Sequence, residues 1–270
     1  MTLERLDLTG KVVTVTGAAR GLGKEMTLAL ARAGADILTG DLLTAQNEET
    51  AEEVCALGRR AIAVTLDVRD SRQCDELIER CLREFGRIDV MLSNAGIGEG
   101  RGLGKPIWEV SDTDWQDNLS INLSSAFYCA RAASKPMVEQ GKGVIINLAS
   151  GTAMRGAPHI FSYAAAKAGV ISLTKSLAIM LARYNVRVNC IIPGEFARRP
   201  VASEEEEQFW AGRGRFFPAQ RVGEPWELGP LAVFLASDAS SYMTGQGFPV
   251  DGGFLAGGYA PIPFAPVVEA

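Results

Sequence analysis

Short runs of β-branched residues alternate along the chain with longer stretches in which apolar residues recur at helical spacing. Val12–Thr16 is the first such run and ends at Gly17; Gly21–Ala33, with Met26, Leu28, Leu30 and Ala31, follows as a predicted helix. Ile37–Gly40 predicts the second strand and Ala45–Leu57 a polar-faced helix. Ala61–Leu66, Ile88–Leu92, Val144–Leu148 and Val186–Ile192 predict further strands, with helices at about Ser71–Phe85, Asp114–Glu139 and Tyr163–Tyr184 between them. Strands separated by helices of this length predict βαβ units and a parallel sheet covered on both faces. Right-handed crossovers then make a Rossmann-like, doubly wound α/β fold in a single domain spanning residues 1–270. Two segments depart from the alternation. Residues 195–221 carry an acidic run, Glu204–Glu207, and then arginines and aromatics, and read as a substrate lid over the core. The tail 254–270 is proline-rich and nearly uncharged, which predicts that it packs against something, such as a second subunit.

Composition narrows the function classes. The 270 residues are 47% hydrophobic and 22% charged, enough for a large core. A net charge of −5 argues against a nucleic-acid partner. The single histidine, His159, excludes sites that need two or more, so no metal site is expected. Five cysteines without C-x-x-C spacing predict reduced thiols in a cytoplasmic protein. The N-terminus reads as no signal peptide, and no stretch is expected to supply the roughly 20 apolar residues of a membrane span.

The first strand runs straight into "TGAARGLG", Thr16 to Gly23. Gly17, Gly21 and Gly23 permit a tight turn and a close backbone approach, and the following helix N-terminus offers N–H donors to a pyrophosphate. Such a turn also serves as a plain strand–helix connection; its place in the first βα unit favours a nucleotide. Asp41 ends the second strand, where a carboxylate accepts from ribose hydroxyls and repels a 2′-phosphate, although it also suits a turn. Arg20, inside the glycine-rich turn, could instead pair with a 2′-phosphate; Asp41 is expected to dominate, which favours NAD. Asp67 of "LDV" and Asn94–Gly96 of "SNAG" follow the third and fourth strands on the same carboxyl edge. Ser150 ends the fifth strand, and "YAAAK" places Tyr163 and Lys167 one helical turn apart. An ammonium beside a phenol is expected to lower the phenol's pKa and fit it to exchange a hydroxyl proton. A Tyr/Lys pair of this spacing is common on surface helices, and only its company with Ser150, the glycine-rich turn and Asn94 gives it weight.

In this order and spacing, "TGAARGLG", "LDV", "SNAG", "INL", "NLAS", "YAAAK", "IIPG" and "GQGFPVDGG" resemble the short-chain dehydrogenase/reductase family over nearly the whole chain. The resemblance implies that Tyr163 is the catalytic acid/base, that Lys167 binds the nicotinamide ribose and tunes Tyr163, and that Ser150 holds the substrate oxygen. It implies that Asn122 of "INL" holds a water in a proton relay. Thr16, Gly17, Arg20, Gly21, Leu22 and Gly23 would cradle the cofactor, Asp67 and Val68 would meet the adenine, and Asn94, Ala95 and Gly96 would support the centre. Pro193 and Gly194 would flank the nicotinamide. It also implies a homotetramer or dimer, with the helices at 114–139 and 163–184 in one interface and "VDGG" near another. The family commonly has Thr where this chain has Arg198, beside Arg199.

The activity implied is NAD-dependent hydride transfer at a secondary alcohol or carbonyl of a small polar molecule. The cofactor performs the redox step. Lid arginines, with Arg155 and His159 after Ser150, suggest an anionic sugar derivative, a sugar acid or sulfonated sugar. Those arginines could equally pair with Glu204–Glu207. An NADPH-dependent 3-oxoacyl-thioester or ketone reductase and a non-catalytic nucleotide-binding scaffold remain alternatives.

Overall fold

A computed structural model describes residues 3–98, 104–197, 201 and 203–257. Arg198, Arg199 and the tail 258–270 lie outside the described residues. A seven-stranded, wholly parallel sheet runs β3-β2-β1-β4-β5-β6-β7. The strands are β1 (Val12–Thr16), β2 (Asp36–Asp41), β3 (Ala61–Thr65), β4 (Val90–Ser93), β5 (Gly143–Leu148), β6 (Val186–Pro193) and β7 (Gly247–Val250). The helices are α1 (Gly21–Arg32), α2 (Thr44–Ala56), α3 (Ser71–Phe85), α4 (Asp112–Leu119), α5 (Ser125–Gln140), α6 (Phe161–Leu181), α7 (Glu204–Gly214), α8 (Gly229–Ala236) and α9 (Phe254–Gly257).

The central strands are mostly apolar because helices cover both of their faces: β1, β4 and β5 are buried at every position, Thr14, Thr16, Ser93 and Asn147 included. One core lies between the sheet and α1 and α8, with Val13, Val15, Met26, Leu30, Leu92 and Leu235. The other lies under α3, α5 and α6, with Leu77, Cys81, Met91, Met137, Ile145 and Leu181. Parallel pairing brings all strand carboxyl ends to one edge. Thr16 is there in register with Gly40 and with Ser93, and Ser93 with Asn147. Strand order reverses between β1 and β4, which opens a crevice at that edge.

The structure corrects three sequence expectations. The helix expected over 114–139 is two helices, α4 and α5, joined by a π-helical turn at Ser120–Ser124. β7 was not expected because "GFPV" carries Gly and Pro; it survives at the sheet edge, where Pro249 can be accommodated. The segment Phe161–Tyr184 is, by length and composition, apolar enough to cross a membrane, contrary to expectation. Its composition has a local cause. α6 packs against β6 and buries Ala166, Val170, Ala178 and Leu181, while Ile179 and Met180 are exposed.

The acidic run of 195–221 opens α7. Ser203 caps it by accepting from Glu206 N at 3.2 Å, and the four glutamates lie in the first turn, where the helix dipole favours negative charge.

Candidate active site

The glycine-rich turn is shaped by close approaches. Gly17 has φ +72°, and a Cβ there would lie 2.8 Å from both Ala95 Cα and Asn94 Nδ2. A Cβ on Gly23 would overlap Gly17 O and Asn94 Nδ2. The Asn94 amide donates to Thr16 O at 3.1 Å and to Gly17 O at 2.7 Å, while Ala95 N donates to Thr16 Oγ1 at 3.3 Å. Asn94 and Ala95 thus buttress the turn from the end of β4. At its mouth, Gly21 has φ +57° and open space where a side chain would stand. α1 starts with no capping side chain and no acid in its first turn. Its leading N–H groups, those of Leu22 and Gly23 among them, therefore suit an anion, and the turn fits a dinucleotide pyrophosphate.

Asp41 is fixed at the adjoining strand end. Its Oδ2 accepts from Ala19 N and its Oδ1 from Leu43 N, each at 3.0 Å. Two backbone bonds aim the carboxylate and leave it acceptor capacity for a ribose diol. Arg20 is exposed on the same turn. Asp67 is less open than expected. Arg69 Nε donates to both of its oxygens, at 2.9 and 3.0 Å, and this bond holds the carboxyl below its ordinary range. Its own N–H donates to Gln73 Oε1 at 2.9 Å. The neighbouring Val68 is buried. Arg69 and Gln73 were missed in the sequence, where "LDVRDSRQ" reads as loop and helix start.

Ser150, Tyr163, Lys167 and Asn122 come together at the ends of β4 and β5. Ser150 caps the short turn Gly151–Met154, its Oγ accepting from Thr152 N at 3.3 Å and lying 3.0 Å from Thr152 Oγ1. Tyr163 is half-buried in the first turn of α6. Burial pushes its phenol above the ordinary range, while a hydrogen bond with the Ser150 hydroxyl acts in the opposite direction. This reverses the expectation that Lys167 pulls the phenol down: here desolvation wins. Lys167 is buried, donates from Nζ to Leu148 O at 2.9 Å, and lies 5.8 Å from the Tyr163 ring centroid. Burial pulls its ammonium down to about 8.

Gly96 closes this cluster. A Cβ on it would stand 2.8 Å from Asn122 Oδ1 and 3.2 Å from Lys167 Nζ, so only glycine lets the two approach. Asn122, buried in the π-helical turn, grips Ile97 twice, Oδ1 accepting from Ile97 N at 3.1 Å and Nδ2 donating to Ile97 O at 3.2 Å. Short π turns are frequent at functional sites. Pro193 ends β6, and Gly194 packs so closely on Asp251 that a Cβ would lie 2.7 Å from its Cα.

The remaining wall is built from distant segments. Arg155 stacks its guanidinium 4.5 Å over the Phe254 ring. His159 is exposed with φ +63°, its Nδ1 3.4 Å from Lys105 O. Among the lid arginines, Arg213 donates to both oxygens of Glu195 at 2.7 and 2.5 Å. Ala197, Phe217, Val222 and Phe254 form a small apolar core beneath them. Phe254 and Glu195 were not singled out in the sequence; neither has a local signal, since their partners are remote in the chain.

A family profile described as Enoyl-(Acyl carrier protein) reductase matches residues 17–255. The 2-dehydro-3-deoxy-D-gluconate 5-dehydrogenase of Escherichia coli (strain K12) is 40% identical over 259 residues, covering 95% of this chain and 100% of that protein. The 3-oxoacyl-[acyl-carrier-protein] reductase of Synechocystis sp. (strain ATCC 27184 / PCC 6803 / Kazusa) is also 40% identical, over 92% of this chain and 98% of its own. The crystal structure of a putative gluconate dehydrogenase from Agrobacterium tumefaciens superposes with a TM-score of 0.85 at 36% identity, covering 93% of this chain and 98% of that one. Fold, profile and full-length relatives agree: the chain belongs to the short-chain dehydrogenase/reductase family, oxidoreductases that use a nicotinamide cofactor on CH–OH groups.

Proposed function

We propose that this protein is an NAD-dependent dehydrogenase of a sugar acid. The observation that carries the reading is the Ser150–Tyr163 hydroxyl pair beside the buried Lys167, on the sheet edge that also bears the glycine-rich turn and Asp41. The bound cofactor supplies hydride acceptance and donation at its nicotinamide. Thr16, Gly17, Arg20, Gly21, Leu22 and Gly23 hold its phosphates, Asp41 its adenosine ribose, Asp67 and Val68 its adenine, and Pro193 and Gly194 its nicotinamide end. Asn94, Ala95 and Gly96 keep the turn and the catalytic cluster in place. Asp41 favours NAD because its fixed carboxylate accepts from ribose hydroxyls and repels a 2′-phosphate.

In oxidation, Ser150 hydrogen-bonds the substrate hydroxyl and Tyr163 takes its proton; in reduction Tyr163 returns it. Lys167 binds the nicotinamide ribose and places positive charge near the phenolate. Asn122, whose side chain grips Ile97, holds a relay water at this site, the role that the family resemblance implies for it. The names of the Escherichia coli relative and of the Agrobacterium structure support a sugar acid, and arginine side chains, among which the sequence offers Arg155, Arg198 and Arg199, are the residue type that suits its carboxylate. Exposed Phe127, Ile179 and Met180 on α5 and α6 supply apolar area for a homodimer or homotetramer interface. The described cysteines are unpaired, which agrees with a reducing cytoplasm.

The test is NAD⁺ and NADP⁺ reduction by the purified protein over matched neutral and anionic polyols and sugar acids, 2-dehydro-3-deoxy-D-gluconate and D-gluconate included. Turnover of the acids with NAD⁺ is the expected result. The Synechocystis relative favours one rival, an NADPH-dependent 3-oxoacyl-thioester reductase. Faster NADPH oxidation with acetoacetyl thioester than with any keto sugar acid would establish it instead.

A further inference from the structure

A hydroxyl has one proton to donate and two lone pairs with which to accept, and the surroundings of Ser150 use them unequally. Ser150 leaves the end of β5 in an extended conformation, φ −162° and ψ 152°, and the chain coils at once into the short turn Gly151–Met154. Ala153 N closes that turn on Ser150 O at 3.0 Å. The coil brings Thr152 back over Ser150, and both of its donors reach one atom. Thr152 N donates to Ser150 Oγ at 3.3 Å, and Thr152 Oγ1 donates to it at 3.0 Å. Thr152 is half-buried and β-branched, which restricts the rotamers open to its hydroxyl.

Two accepted bonds occupy the lone pairs of Ser150 Oγ, and what remains is its own O–H, which can only donate. The hydroxyl it pairs with is the phenol of Tyr163. A bond donated to the phenol oxygen favours the phenolate, against the burial that pushes this group up. Without the Thr152 hydroxyl, Ser150 has a lone pair open to a protonated Tyr163, an arrangement that holds the neutral phenol.

We propose that Thr152 is a positioning residue for the reaction: by occupying the acceptor sites of Ser150 it makes that hydroxyl a donor only, toward Tyr163 in the free enzyme and toward the substrate oxygen in the complex. The inference rests on the Ser150–Tyr163 chemistry proposed above and deepens it. A substrate hydroxyl that accepts from Ser150 has one route left for its own proton, to Tyr163. In the reverse reaction a carbonyl oxygen accepts from both hydroxyls. The turn after β5 thus fixes the direction of proton transfer through a residue that lies outside every motif marking the site in the sequence.

The experiment measures kcat/KM against pH for NAD⁺-dependent oxidation in the wild type, Thr152→Val, Thr152→Ser and Ser150→Ala. The substrate is whichever alcohol of the series above the wild type turns over fastest, so the result does not depend on its being a sugar acid. In parallel, phenolate absorbance in the ultraviolet, taken as the difference between each protein and its Tyr163→Phe counterpart, isolates Tyr163 from the other four of the five tyrosines and needs no substrate. Thermal melting reports folding. Thr152→Val keeps the branch and the main-chain donor and loses the hydroxyl; it is expected to move the rising limb and the phenol titration alkaline by about half to one pH unit. Below the limb the rate then falls about 3- to 10-fold, while the alkaline plateau is kept. Thr152→Ser restores both midpoints, and Ser150→Ala raises them at least as far as Thr152→Val does. Midpoints unchanged within about 0.2 pH unit in folded Thr152→Val, with a clear rise in Ser150→Ala, overturn the inference and leave the Ser150–Tyr163 pair standing. A rate lowered equally at every pH, or a rise that Thr152→Ser does not reverse, overturns it too, because packing rather than the hydroxyl would then be the cause. Unchanged midpoints in Ser150→Ala overturn the Ser150–Tyr163 pair itself, and this inference with it.

Discussion

The two sides of the crevice are built by different means. On the cofactor side, between β1, β2 and β4, the geometry is set by main chain: glycines where a Cβ would collide, an Asn94 amide bonded to two carbonyls, an Asp41 carboxylate held by two N–H groups. On the substrate side, between Ser150, residues 195–221 and α9, long side chains from remote segments do the work. Arg213 holds Glu195, Arg155 lies over Phe254, and Phe254 packs on Phe217. Main-chain geometry tolerates almost no change, whereas a surface of arginines and aromatics can be re-cut without disturbing the sheet. The difference explains how one framework can serve relatives with names as unlike as a gluconate-type dehydrogenase and an acyl-thioester reductase.

The largest expected effect lies where the two sides meet. Tyr163→Phe removes the hydroxyl proposed to exchange the proton and is expected to lower kcat about 10²- to 10⁴-fold, while NADH affinity measured by fluorescence stays within about twofold. A loss of only a few-fold would remove Tyr163 from its assigned role.

A pair of glycine substitutions tests the contrast directly. Gly23→Ala puts a methyl into Gly17 O and should cost about 1–3 kcal/mol of stability and most of the NAD⁺ affinity. Gly156→Ala, on the substrate side, meets nothing within 4 Å and should stay within about 0.5 kcal/mol in denaturant titrations. Similar costs for both would erase the distinction.

Lys167 gives a pH test. Burial lowers its pKa from 10.5 to about 8, so between those values the folded protein binds fewer protons than the unfolded chain, and stability from this group rises with pH. Lys167→Met should lack that rise when wild type and variant are unfolded in denaturant between pH 8 and 10.5. Parallel curves would show that Lys167 titrates elsewhere. The raised phenol of Tyr163 points the same way for catalysis: oxidation should speed up toward alkaline pH and reduction slow down. The smallest effect is expected from Arg213→Gln, whose ion pair with Glu195 is partly solvent-exposed. A change below about 1 kcal/mol in melting is predicted, and a larger one would mean the lid is anchored mainly by this pair.

The cofactor side was legible in the sequence because its parts are local: a glycine-rich turn after a β-branched run, an acid at the next strand end, a Tyr and a Lys one helical turn apart. The positions of β1 to β6 and of α1, α2, α3 and α6 were readable for the same reason, with boundaries shifted by up to three residues, whereas α7, α8 and α9 were not read. What was not legible depended on contacts between remote segments. The π turn around Asn122 is invisible to a helical period, and β7 forms because β6 offers an edge, not because "GFPV" favours a strand. The direction of the Tyr163 shift depends on how deeply the ring is buried, which spacing from Lys167 does not report. The packing of Phe254 involves Gly151 and Arg155, about a hundred residues away in the chain.

The central claim is that Asp41, fixed by Ala19 and Leu43, makes this an NAD enzyme despite Arg20 on the same turn. Titration of the purified wild type with NADH and with NADPH, followed by nicotinamide fluorescence, tests it most directly. The account predicts that NADH binds at least about tenfold more tightly, the scale of one charge-assisted hydrogen bond gained or lost at the ribose. Equal or tighter binding of NADPH would mean that Arg20 outweighs Asp41, and would contradict it.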